Sequence, residues 1–140
     1  GSTYAGLAFS HANVGYVHAI AHNFGSHYGT PHGLANAIVL PYILEFYQGS
    51  GSKRMAEMAV EIGIGQQLVG SEALAATFIE QIKMLNSQMA IPTKLADLKE
   101  GDIAGIAKAA RKEAHFAYTY PVPKYVNQRG CEAIIRKMLA

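Results

Sequence analysis

Between Gly1 and Leu44 the chain has no Lys, Arg, Asp or Glu, and its first carboxylate is Glu45. A stretch of this length without a charged side chain has little to hold it against water, so it must be packed inside a fold or against a partner. It is also rich in small residues: Gly15, Ala19, Ala21, Gly25 and Gly33 recur through GYVHAIAHNFGSHYGTPHGLANAIVLP. Side chains this small let backbones approach closely and leave room for a ligand. Three histidines, His18, His22 and His32, stand in the same stretch. His18 and His22 are four residues apart, which on a helix puts both rings on one face. His32 follows a Gly/Ser/Thr/Pro-rich turn able to fold it back toward them. Neutral imidazole ligates divalent transition metals and exchanges protons near neutral pH, and a cation held where water is scarce exerts a strong field. A metal or proton-transfer site is therefore the first expectation. An HxxxH pair alone would suit two surface or core histidines equally well, and it is the uncharged glycine-rich setting that favours chemistry.

The run AGLAFSHANVGYVHAIAHNFGSHYGTPHGLANAIVLP resembles the signature region of the iron-containing (group III) alcohol dehydrogenases. The motif of that family reads A-G-x-A-F-x-N-x-x-x-G-x-x-H-A-x-A-H-x-x-G-x-x-x-x-x-P-H-G-x-x-N-A. The likeness continues more weakly through IPTKLADLKEGDIAGIAKAARKEA to the terminal YPVPK and CEAIIRKML. Carried over position by position, the resemblance implies that His18 and His32 are ligands of a catalytic divalent metal, Fe(2+) or in some members Zn(2+). It makes His22 the non-ligating histidine that faces nicotinamide and substrate and helps relay the proton. Phe9 matches an aromatic residue lining the substrate and cofactor cleft. The implied activity is the interconversion of small alcohols and aldehydes with NAD(P), the metal acting as Lewis acid. His11 replaces the family's usual asparagine and His27 lies in the variable loop; both read as structural or peripheral. Relatives hold their metal with one aspartate and three histidines, of which the aspartate and first histidine precede this segment. Ahead of His18 this chain has only His11 and no carboxylate, so half of the ligand set is expected here.

At 140 residues, half of them hydrophobic, the chain suits one globular domain over 1–140. It has no alternation of strands and helices and no Gly-rich phosphate loop; Gly63-Ile64-Gly65 follows no β-branched strand. The resemblance thus implies an all-α multi-helix bundle, part of the C-terminal metal-binding domain of a two-domain, dehydroquinate synthase-like enzyme. The N-terminal nucleotide-binding domain would be missing, the piece inactive alone, and Gly1-Ser2 a cloning remnant. The histidine loop would face the missing domain. An alternative is a catalytically silent helical interaction or oligomerisation module. A zinc hydrolase would want glutamate after the first histidine, where Ala19 stands, and a metal-storage bundle would want ExxH pairs, which are missing.

The pattern reads as helices throughout. An apolar helix is expected from Ala12 to about Ser26, then a second from Thr30-Pro31, with threonine as cap, His32 in its first turn and Pro41 as a kink on the way to Gly49. A third runs from Ser52 to about Ile62 with Met55, Met58, Ala59 and Ile62 on its apolar face. A fourth runs from Ser71 to about Met89 with Leu74, Phe78, Ile82 and Leu85. Asp102 should cap a helix through Ala110 that ends near His115, and Gly130 to Leu139 closes the chain. The formal charge of +2 comes from 12 basic and 10 acidic residues without a basic stripe, which points away from nucleic acid and anionic membranes. The single cysteine, Cys131, reads as a buried hydrophobe, and the absence of a signal peptide or long apolar run points to the cytoplasm. The uncharged first forty residues, if exposed, would drive homo-oligomerisation.

Overall fold

The computed structural model describes residues 1–65, 70–116 and 120–140. Among these lie seven α-helices and no sheet: α1 Ser2–Ala12, α2 Tyr16–Tyr28, α3 His32–Tyr47, α4 Ser52–Glu61, α5 Ser71–Gln88, α6 Ile103–Phe116 and α7 Gln128–Arg136. The all-α bundle expected from the sequence is the observed architecture. α2 lies between α3 and α6, α7 packs on α6, and α4 with α5 forms a second pair joined to α3 through α5. Tyr16, Ile20 and Phe24 of α2 are fully buried in one cluster with Ile38, Ile43, Ile103, Ile106 and Ile135. Burial of such side chains is worth roughly 1.5–3 kcal/mol each, so this cluster fixes the position of α2. No described helix is long and apolar enough to cross a membrane.

The uncharged segment holds α1, α2 and most of α3, where the sequence suggests two helices; α1 is the one not expected. α1 has no buried residue and hence no apolar period to read. Its helix ends at Asn13, whose φ of 60° breaks the turn, and α2 begins after Gly15 in extended conformation. α2 runs to Tyr28 and stops at Gly29, in left-handed conformation with φ 67°, whose N–H bonds Gly25 O at 2.9 Å. Pro31, not Thr30, precedes the first residue of α3; its backbone is already extended and its carbonyl accepts from Ala35 N at 2.9 Å, so no side-chain cap forms. Pro41 is accommodated inside α3, which continues to Tyr47.

The stripes of α4 and α5 are borne out in part: Met55, Ala59 and Leu74 are buried as expected and Phe78 packs beside them, and the rest of each stripe is turned. Met55, Ala56 and Ala59 are buried on α4, and Leu74, Ala75 and Ile79 on α5, whereas Met58, Ile62 and Leu85 are exposed. These two helices pack mainly on each other, and the alanines at Ala56 and Ala75 offer the flatter, closer contact. Asp102 ends a 3₁₀ turn, Glu100–Asp102, that leads into α6. Its Oδ2 accepts from Tyr28 Oη at 2.8 Å, which ties the end of α2 to the start of α6. α7 starts earlier than expected because Asn127 caps it, accepting from Gly130 N at 2.8 Å. Cys131 is buried within the cluster, as expected, and burial pushes its thiol up to about 12.

Candidate functional site

Three features of the chain bring the histidines together. The four-residue spacing sets His18 and His22 on one face of α2, the Gly29 turn reverses the chain, and His32 opens α3 beside them. Ring centroids lie 5.8 Å apart for His18–His22, 5.3 Å for His18–His32 and 5.4 Å for His22–His32. The triangle is not symmetric in orientation. His22 and His32 are nearly parallel, at 19°, while His18 is inclined to both, at 53° to His32 and 72° to His22. An imidazole lone pair lies in the ring plane, so stacked rings send theirs side by side, whereas tilted rings can aim at a common point.

Electrostatics favours a neutral His18. Burial holds His18 below the usual histidine range, helped by His32 and His22 and opposed by Glu113. The amide of Asn36 donates from Nδ2 to His32 Nε2 at 3.0 Å and to the His32 carbonyl at 2.8 Å. A nitrogen that accepts from an amide is unprotonated, so His32 Nε2 carries a lone pair, which the Asn36 amide must release before it can ligate a cation. His18 and His32 therefore fit a divalent ion as a two-imidazole half-site. Among the described residues, no set of three His, Cys, Asp or Glu side chains is disposed to hold a metal. A cleft of about 450 Å³ adjoins His18, with walls from Asn13, Val14, Tyr16, Leu40 and Pro121.

His22 is engaged differently. Its Nδ1 lies 2.7 Å from Oε1 of Glu113 on α6, and the same oxygen accepts from Tyr120 Oη at 2.8 Å. Burial and this bond push the Tyr120 hydroxyl up to about 12. Sequence reasoning missed both residues. Glu113 is 91 positions from His22, and no local pattern encodes that pairing; only the packing of α6 on α2 creates it.

The other singled-out residues lie elsewhere. Phe9 is on α1, 59 % exposed, and is not gathered with the histidines. His11 and His27 each bond a carbonyl of their own helix, Leu7 O at 2.9 Å and Asn23 O at 3.0 Å, as suits peripheral residues. His115 does sit in the last turn of α6, but a buried partner, the Tyr16 hydroxyl, holds its Nε2.

Comparison with known proteins gives the family and the fold. Residues 1–139 match the family description "Fe-containing alcohol dehydrogenase family, C-terminal". The chain is 33 % identical over 138 residues to a 1,3-propanediol dehydrogenase of Citrobacter freundii, which covers 97 % of this chain and 35 % of that protein. It is 33 % identical over 112 residues to a lactaldehyde reductase of Escherichia coli (strain K12), covering 79 % of this chain and 29 % of the relative. The crystal structure of a 1,3-propanediol oxidoreductase superposes with a TM-score of 0.87 at 34 % identity, over 96 % of this chain and 35 % of that one. The chain thus spans about a third of the length of these relatives. With the histidine motif, the helical architecture and these matches in agreement, the chain belongs to the Fe-containing alcohol dehydrogenase family, and what it matches is that family's C-terminal part.

Proposed function

We propose that this domain supplies half of the catalytic centre of an NAD(P)-dependent alcohol dehydrogenase, with His18 and His32 as ligands of a divalent metal, Fe(2+) or Zn(2+), and His22 as the proton-relay residue. The observation that carries the reading is the bond of His22 to Glu113: His18 is tilted toward both other rings, and of those two only His22 is turned onto a carboxylate, which leaves His18 and His32 as the pair free to converge. The relatives are named for 1,3-propanediol and lactaldehyde, which supports small alcohols and aldehydes as substrates. The remaining ligands and the dinucleotide site would come from an N-terminal nucleotide-binding domain, and residues 1–140 would act as the metal-binding helical domain beside it. Phe9, exposed on α1, would border the cofactor cleft, and α1 would be covered by that domain or by a second copy in a homo-oligomer. A cytoplasmic setting suits a nicotinamide-dependent enzyme.

The chain's own residues divide the work. Burial keeps the His18 imidazole neutral, and the Asn36 amide keeps a lone pair on His32 Nε2. The cleft beside His18, with walls that include Val14, Leu40 and Pro121, offers an apolar surface for the carbon chain of a small substrate. Bound together, metal and nicotinamide would supply Lewis acidity toward the substrate oxygen and a hydride acceptor. The hydroxyl proton lost in alcohol oxidation would pass to His22, whose Nδ1 is already committed to Glu113. In the intact protein, reduction of NAD⁺ or NADP⁺ by a small primary alcohol should stop on treatment with a chelator and return with Fe²⁺ or Zn²⁺. Turnover that survives complete removal of metal, or no turnover with any small alcohol and metal, would contradict the proposal.

A further inference from the structure

The hydrogen bond between His22 and Glu113 joins two helices, yet it does little for their packing. Their side chains are 44 % and 29 % exposed, and polar contacts this open to water add little to stability. The buried contacts of α2 with α6 hold the helices together without it. Its geometry is nevertheless specific. Glu113 Oε1 receives His22 Nδ1 at 2.7 Å and the Tyr120 hydroxyl at 2.8 Å, so one oxygen is fixed by two groups from different parts of the chain. An ionised carboxylate can only accept, so the hydrogen of a neutral His22 must reside on Nδ1 and the lone pair on Nε2.

We infer that Glu113 is a positioning residue for His22, fixing its ring orientation and its Nδ1–H tautomer so that Nε2 is the nitrogen that takes up the substrate proton, and that Tyr120 in turn holds Glu113. The inference rests on the proton-relay reading of His22 given above. In alcohol oxidation the C–H electron pair would leave as hydride to the oxidised nicotinamide and the O–H proton would go to His22 Nε2. Nδ1–H would remain bonded to Glu113 throughout, so Glu113 neither gains nor loses a proton. Without the carboxylate, a neutral imidazole would divide between two tautomers and several ring orientations, and part of the population would present an N–H where a lone pair is needed.

The test uses the intact metal-loaded protein. Glu113→Ala should lower kcat about tenfold with KM and bound metal close to wild type, the size seen when an oriented histidine loses its outer partner. Glu113→Gln retains a carbonyl oxygen facing the same two donors and should recover most of the loss, whereas a residue that merely filled space would be served equally by either variant. Tyr120→Phe should fall between wild type and Glu113→Ala. ¹⁵N-histidine spectra, with the His22 signals assigned by their disappearance in His22→Ala, should show a protonated Nδ1 and an unprotonated Nε2 in wild type and a mixture in Glu113→Ala. A wild-type kcat in Glu113→Ala alongside a slow His22→Ala would overturn this inference alone, as would a His22 protonated mainly on Nε2. An unimpaired His22→Ala would overturn the proton-relay reading and this inference with it.

Discussion

Tyr16 shows how one buried side chain orders a polar site without a charge. Its hydroxyl accepts from Val126 N at 3.2 Å, which leaves its own hydrogen to donate to His115 Nε2. His115 must then be neutral at Nε2, and burial, reinforced by Arg111, holds it below the usual histidine range. The consequence for stability has a definite sign. A histidine with a lowered folded pKa binds fewer protons folded than unfolded, so the stability present above about pH 6.5 is lost as the pH falls toward the folded value. His18, also lowered by burial, acts in the same direction. Urea midpoints taken between about pH 7.5 and 5 should fall with pH, and more steeply for wild type than for His115→Phe. Identical slopes would show that the Tyr16–His115 bond does not set the titration. At this scale the sequence was legible where residues act through spacing, as with His18 and His22 four apart on a helix. It was silent about Glu113, Tyr120 and the Tyr16–His115 pair, since contacts between distant helices leave no local periodicity.

Helix termini and helix faces differ in how well they can be read. The end of α2 was legible to within two residues, about Ser26 against Tyr28, because glycines mark the turn and Gly29 takes the left-handed conformation, and His32 at the start of α3 followed from Thr30-Pro31. The existence of α1 was not, because it buries no residue and so shows no apolar period, and the break after it falls at Asn13, which adopts its positive φ without a glycine to announce it. Nor were the faces of α4 and α5 in full, where a helix carrying apolar residues on more than one side gives several acceptable stripes and only the partner helix selects among them. The apolar residues that this leaves in water carry a consequence for α1. Tyr4, Leu7 and Phe9 are exposed on a helix with no buried residue and no charge of its own apart from His11. In solution the 140-residue chain should cover them by self-association. Sedimentation at high micromolar concentration should give a dimer or larger species, and Leu7→Lys with Phe9→Glu should shift it toward monomer. A monomeric wild type under these conditions would mean that α1 does not act as a contact surface.

For the whole molecule, a bundle built from the packing of α2 against α3 and α6 does two things at once. It buries Tyr16, Ile20 and Phe24 on one side of α2 and presents His18 and His22 on another, so the core that stabilises the domain also sets the site. That the fold is all-α and of this family was legible, because the histidine, glycine and alanine positions of the first forty residues encode both the site and the close packing around it. The division of labour among the three imidazoles is the central claim, and bound metal is what separates them most directly. Elemental analysis of the intact protein should find metal lowered in His18→Ala and in His32→Ala, each lacking one protein ligand. His22→Ala should retain metal close to wild type while turning over about 100-fold more slowly, the size of an ordinary general acid–base contribution. Loss of metal in His22→Ala, or full retention in His18→Ala or His32→Ala, would contradict the assignment.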